Sequence, residues 1–253
     1  MLKRFCLYFL IGFICILSQN ANSQVLHEIG VTAGPAAITT DYGERGEFRN
    51  FYQNLGFGVG FQHYMNFVYT GNNYRTNYFK DFFRVRTEID YFHSYLDHYG
   101  PISYQNNPRG EMLRAMHGET NIFEFGTQLE WHFTQIREFL IFAERFSPYI
   151  TVGVHAVYYI PDAYSDLGPV DNPRVLFPAF QDGLNLDSGF TYNVLFGGGT
   201  RYRLGRNSDL VAEVKWQYYG NDYIEGLDVQ GPQNQSNDWA IWINVGYIHY
   251  LNF

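Results

Sequence analysis

The segment that most constrains this chain is its last fifteen residues, WAIWINVGYIHYLNF, from Trp239 to Phe253. Trp239, Ile241, Ile243, Val245, Tyr247, His249, Leu251 and Phe253 alternate with a set that includes Asn244, Gly246, Tyr250 and Asn252. Side chains along a strand point alternately to its two faces. This segment therefore predicts a strand with one apolar and one more polar face.

An aromatic at the last position of the apolar face resembles the C-terminal signal that outer-membrane barrels offer to their insertion machinery. Tyr247, Leu251 and Phe253 would carry it here. The other end of the chain agrees. Lys3 and Arg4 precede an apolar core, Phe5 to Leu17, of signal-peptide length and too short to be a good bilayer span. Ala21-Asn22-Ser23 reads as a small-x-small cleavage site. Residues 1–23 are thus expected to be a cleaved signal peptide and residues 24–253 a single barrel domain in the outer membrane. The alternative, a lipoprotein signal at Cys15, has Ile14 where a small residue is expected.

Both cysteines, Cys6 and Cys15, fall in the segment expected to be removed, so neither disulfide nor thiolate chemistry is predicted. Losing Lys3 and Arg4 leaves 15 basic against 25 acidic residues, a charge of −10, which disfavours nucleic acid as a partner. Aromatic residues make up 19% of the chain, which suits a barrel with interfacial girdles and a lipid-facing band. Beyond the signal no apolar run reaches the length of a transmembrane helix. A barrel strand needs only about 9–11 residues.

Parity predicts eight strands, at 26–35, 55–66, 81–95, 119–133, 148–160, 188–204, 209–219 and the terminal segment. The third shows the logic: Phe83, Val85, Thr87, Ile89 and Tyr91 face one way, and Arg84, Arg86, Glu88 and Asp90 the other. With the N-terminus in the periplasm, the outer loops would be 36–54, 96–118, 161–187 and 220–237. The inner turns would be 67–80, 134–147 and 205–208. Long loops outside and short turns inside is the bacterial barrel pattern. The fold class expected is therefore all-β, an eight-stranded antiparallel up-and-down transmembrane barrel, monomeric. A soluble sandwich would also alternate, but it leaves the signal, the terminal aromatic and the loop asymmetry unexplained.

Eight strands enclose a space that side chains can fill. The polar parity assigns Glu28, Arg84, Arg86, Glu88, Asp90, Glu124, Glu130, Arg201, Arg203, Glu213 and Lys215 to the lumen, five basic and six acidic. Near-balance points to a paired network that holds the barrel shut, because unpaired buried charges are costly. A narrow ion path or gated plug is the alternative. Gly56, Gly58 and Gly60 share the inward face. They would relieve crowding or, alternatively, receive the loop 36–54.

No zinc-protease, Cys-x-x-Cys, nucleophile-elbow or phosphate-loop pattern occurs, and no cofactor or metal site is expected. Gly197-Gly198-Gly199 lacks the spacing of a dinucleotide fingerprint. His93, Ser94 and Asp97, with His117 and Glu119 on the next strand, would form a rim cluster, the basis of a lipid-modifying enzyme alternative. The acidic outer loops, with Asp162, Asp166, Asp171, Asp182 and Asp187 in one and Asp222, Glu225 and Asp228 in another, read as solvated. They lack EF-hand spacing for calcium.

Several stretches carry a family resemblance. They are His27-Glu28-Ile29-Gly30-Val31, Ala33-Gly34-Pro35, Asp41-Tyr42-Gly43, Gly56-Phe57-Gly58-Val59-Gly60, the run Gly126 to Trp131, Trp216-Gln217-Tyr218-Tyr219 and Asn237-Asp238-Trp239. Together they resemble a family of small outer-membrane proteins from Bacteroidota, mainly flavobacteria, over nearly the whole mature chain. Members have been labelled glutamate dehydrogenase, a label no residue pattern here supports. The opening His-Glu-Ile-Gly is also similar to PorG, the small barrel associated with the type IX secretion system. Its Gly-Gly-Ser-Asn-Tyr becomes Gly34-Pro35-Ala36-Ala37 here. The resemblance implies no catalytic or binding residue.

The function expected is a non-enzymatic structural or scaffolding component, accessory to a secretion or envelope-assembly complex. A narrow solute channel is the second reading and the rim enzyme the third. Expected partners are outer-membrane lipid and lipopolysaccharide, the insertion machinery and secretion-complex proteins. The turn 134–147 is apolar enough to be the contact surface.

Overall fold

The computed structural model describes residues 25–39, 41–43, 48–68, 77–181, 183–227 and 237–251. The signal segment, both cysteines, Asp182, Asp228 and Phe253 lie outside the described residues. Eight strands follow one another: β1 (Leu26–Thr39), β2 (Leu55–Asn66), β3 (Phe83–Asp97), β4 (Met116–His132), β5 (Phe146–Ser165), β6 (Gly189–Gly205), β7 (Ser208–Tyr219) and β8 (Trp239–Leu251). Each pairs antiparallel with its sequence neighbour, and β8 pairs with β1, with Val31 opposite Tyr247, so the sheet closes into a barrel. Closure leaves no strand edge with unpaired backbone groups.

The alternating residues explain the barrel wall. On β3 and β4, Arg84, Arg86, Glu88, Asp90, Glu124 and Glu130 are buried inside, while Ile89, Phe123 and Phe125 stand exposed outside. The same inversion runs round the barrel, with Val31, Phe57, Val154, Phe196, Val214 and Val245 all exposed. Among the described residues, the outward positions of the strands hold no Asp, Glu, Lys or Arg except Asp97, Glu119 and Asp162, all toward one end.

That end, the far end, is opposite the chain termini and carries the long connections. Several strands run further toward it than the sequence reading placed them. β1 continues to Thr39 and β5 to Ser165, past Pro161. Proline removes one ladder donor, yet alternation persists, with Ala163 buried and Tyr164 exposed.

The described residues of the far-end loops include the short α-helices α1 (Phe48–Gln53) and α3 (Pro108–Ala115) and a 3-10 turn at Pro178–Phe180. Asn107 caps α3 by accepting the Gly110 N–H at 2.8 Å, with Pro108 at the first turn, where its missing N–H costs nothing. The loops pack on one another through Tyr42, Leu96, Leu113, Leu176, Phe180 and Leu227, forming a folded cap. At the terminal end the connections are shorter on the whole, although 67–82 matches the far-end loop 40–54 in length, and they include α2 (Tyr78–Phe82) and α4 (Ile136–Leu140).

Only part of the apolar turn 134–147 is free: Ile136 and Phe139 of α4 are fully buried, while Ile141 and Phe142 are exposed. Phe139 packs under the Arg84 and Arg203 guanidiniums, 5.9 and 5.6 Å from its ring centroid, so the amphipathic turn folds into the mouth of its own barrel. Of the two readings of the inward β2 glycines, crowding relief fits the structure and packing of the loop 36–54 does not. A Cβ on Gly58 would lie 2.6 Å from the Phe92 ring and 2.9 Å from the Trp242 indole nitrogen, and one on Gly60 would lie 2.2 Å from an Asp90 oxygen. The space is filled from β3 and β8, which is crowding relief.

Candidate functional site

The lumen gathers the chemistry of this chain. All eleven charged residues assigned to it by parity are buried inside. Toward the terminal end, Arg201 bridges Glu28 and Glu130, with 3.0 Å to Glu130, and Arg203 meets Asp209 at 3.1 Å. Arg84 lies 3.5 Å from Glu28 and 3.4 Å from His132. In the middle, Arg86 reaches Glu213 at 2.9 Å, Glu130 at 3.2 Å and Glu88 at 3.3 Å. Beyond it, Lys215 sits between Glu88 and Asp90 at 2.5 and 3.4 Å. His155 places one ring nitrogen 2.9 Å from Glu124 and the other 3.2 Å from Glu88. Glu124 also accepts from Gln217 and from the Tyr219 hydroxyl.

These contacts form one continuous chain from Asp209 to Glu124, and aromatic rings line it. Arg201 lies 4.2 Å from the Tyr64 ring centroid, Arg203 4.4 Å from Tyr250, and Lys215 4.6 Å from Trp242. Parity reasoning singles out the charges and leaves out Asp209, His132 and the inward tyrosines Tyr64, Tyr149 and Tyr219; it puts His155 and Tyr250 on the polar faces of their strands without counting them into the network. Asp209 and Tyr219 share the parity of Glu213 and Lys215. A tyrosine hydroxyl suits a polar interior.

Glu88, Asp90 and His155 bring one ligand atom each within 4.8 Å of one another, a donor set that could hold a metal. Lys215 already supplies positive charge to two of the three, so the cluster reads as an ion-paired knot.

Apolar side chains lie at both ends of the charged interior. At the terminal end Phe139 is fully buried. At the far end the charges give way to Phe92, Ile122, Val157, Ala240 and Trp242, and Ile224 from the β7–β8 connection packs among them. The Thr120 hydroxyl donates to the Ile224 carbonyl at 2.6 Å and fixes it there. Next to Ile224, Glu225 is fully buried and not, as its loop's composition implied, solvated. Asp162, Asp166, Asp171 and Asp187 are exposed.

In the cap, His98 lies between the rings of Tyr42 and Phe180, with centroids 4.7 and 5.0 Å away, and accepts the Gly43 N–H at 2.9 Å. Burial pushes its imidazole down to about 3, so it is neutral and ties three loops together.

The rim residues do not assemble a nucleophile and base. Ser94 points inward and donates to the Asn54 carbonyl, whereas His93 and His117 are on the outward face. His117 contacts Asp97 at 2.5 Å and Asp166 at 3.5 Å, and His93 contacts Asn121 at 3.0 Å and Glu119 at 3.7 Å. Opposite faces of the sheet separate Ser94 from both imidazoles. Of the residues expected to carry an insertion signal, Tyr247 is exposed on the outer wall and Leu251 half-buried at the end of β8.

No protein-family model matches the chain, and no curated protein matches it. Among solved structures it is similar to a major outer membrane protein from Thermus thermophilus, at TM-score 0.47 and 12% identity, over 89% of this chain and 99% of that one. It is also similar to Neisserial surface protein A, at TM-score 0.45 and 12% identity, over 88% and 96% of the two chains. A third is Ail, the attachment invasion locus protein of Yersinia pestis, in complex with a heparin analogue, at TM-score 0.45 and 10% identity, over 90% and 99%. Identity this low says nothing about activity.

Proposed function

We propose that this chain is a non-enzymatic outer-membrane barrel whose lumen does not conduct, and that it serves as a structural or scaffolding component. The observation that carries the reading is its inside-out polarity. The exposed wall is apolar and, through its middle, free of charge, while the buried interior is ionic. In water that arrangement exposes far more contiguous apolar surface than a soluble monomer tolerates. In a bilayer it is the expected one. The termini would then lie in the periplasm and the cap outside. Lipid, lipopolysaccharide and the insertion machinery would be the partners.

A place beside a secretion or envelope-assembly complex is the finer form of this proposal, which the resemblance of the opening residues implies. Because α4 is folded into the terminal mouth, a protein partner would read the cap or the exposed Ile141. The test is to purify the mature chain in detergent, compare gel mobility before and after boiling, and record currents across planar bilayers. Heat-modifiable migration without discrete conductance is expected. Conductance steps would replace this reading with a channel, and the absence of a heat shift would overturn the membrane barrel.

A further inference from the structure

The limb Gly220–Leu227 closes the far mouth, and two carboxyls hold it there. Glu225 and Asp238 are both buried, at 0% and 3% exposure. Glu225 Oε1 accepts the Asp41 N–H at 2.8 Å, and Asp238 Oδ2 accepts the Ile224 N–H at 3.3 Å. Glu225 Oε2 has no donor. Among the described residues neither carboxylate is paired with a Lys, Arg or His. The titratable groups facing them are Asp41 from the β1–β2 loop, Asp222 from the limb itself and the phenols Tyr42 and Tyr219. Every one is acidic or neutral.

Two ionised carboxylates in that setting are desolvated and repel one another, with no Lys, Arg or His among the described residues to offset either effect. A hydrogen bond between them forms only if one keeps a proton. We propose that Glu225 and Asp238 are a proton-sharing latch, which holds the limb 220–227 and its Ile224 stopper in the barrel mouth and lets go when the proton is lost.

The electrostatics agree. Burial and the neighbouring Asp238 hold Glu225 well above the usual carboxylate range. Burial, with Asp222 and Asp41, lifts Asp238 to about 8. In the released limb both would titrate near the ordinary value of about 4. The closed state thus binds more protons than the open one. It is fully favoured below about pH 4 and loses ground as pH rises through about 8, where Asp238 gives up its proton in the closed state. The coupling to closure is direct, since Asp238 holds the backbone of the residue that fills the mouth.

The test is hydrogen exchange of the full chain in a detergent micelle at about pH 5 and about pH 9, corrected for the intrinsic rate, reading the amides of Asp41, Ile224 and Gly226. Their protection is expected to fall about tenfold or more at the higher pH, while β5 amides such as Val152 keep theirs. In Glu225→Gln the side-chain amide donates permanently, so protection should stay within about threefold between the two conditions. Asp238→Asn offers the same comparison if the first variant fails to fold. Unchanged wild-type protection, or an equal fall in the variants, would overturn the latch. So would full recovery at high pH on adding calcium chloride alone, since the pair would then be a cation site.

Discussion

Arg86 concentrates the energetics of the lumen in one side chain. It faces Glu213, Glu130 and Glu88 at once and lies 5.8 Å from the Tyr64 ring centroid. An ion pair out of water is a poor source of net stability, because desolvation consumes most of the Coulomb gain. Removing one partner is another matter, since the remaining charges have no solvent to turn to. Arg86→Met keeps the volume and takes the charge from three carboxylates. The expected cost is about 3–5 kcal/mol, read as a lower urea midpoint for the loss of heat-modifiable migration. A variant as stable as wild type would mean that water already reaches these groups.

Among the elements, α4 best separates what the sequence announces from what it withholds. Its Phe139 is a plug, wedged beneath two guanidiniums, and the chain returns from it through Phe142 in the left-handed region at φ 64°. Phe139→Ala is expected to cost about 3–5 kcal/mol, as for other buried aromatics cut to alanine, seen as a lower thermal midpoint. An effect within about 0.5 kcal/mol, the range of exposed substitutions, would return α4 to the surface.

Strands β2, β3 and β8 are legible because period two persists through them and one face is largely apolar. β5 was cut short at Pro161, since proline and acidic residues signal a turn, yet an outward Asp162 in water is compatible with pairing to Glu119. Long-range placement could not be read. Nothing local says that Ile136 and Phe139 turn inward while Ile141 is exposed, or that Glu225 is fully buried while Asp222, three residues earlier, is only half-buried. Those outcomes depend on which side chains already occupy each mouth.

At the scale of the whole molecule, the barrel is a soluble protein's polarity reversed, and its outer wall can be tested for its solvent. Val214 lies in the middle of β7 with 48% exposure and faces outward. In water an arginine there would be harmless or helpful. In a bilayer, Val214→Arg should cost about 2–4 kcal/mol if the position is near the midplane, measured by urea unfolding from liposomes. A neutral result would place this face outside the hydrocarbon.

The lumen contacts also have a consequence for how the barrel comes to exist. Arg201 meets Glu28 and Glu130, Glu213 meets Arg86, and Lys215 meets Glu88 and Asp90, so these bonds join the first four strands to the last four. Taken alone, the first half carries an excess of acid on its inner face and the second an excess of base. Neither half can neutralise itself, and each is the other's counterion. The interior therefore works as a proofreading code. A chain that pairs its strands in the wrong register is left with a mismatched ledger of charge in a place no water can reach. Only the completed circle brings the acidic excess of one half against the basic excess of the other, and the β1–β8 seam is what completes it.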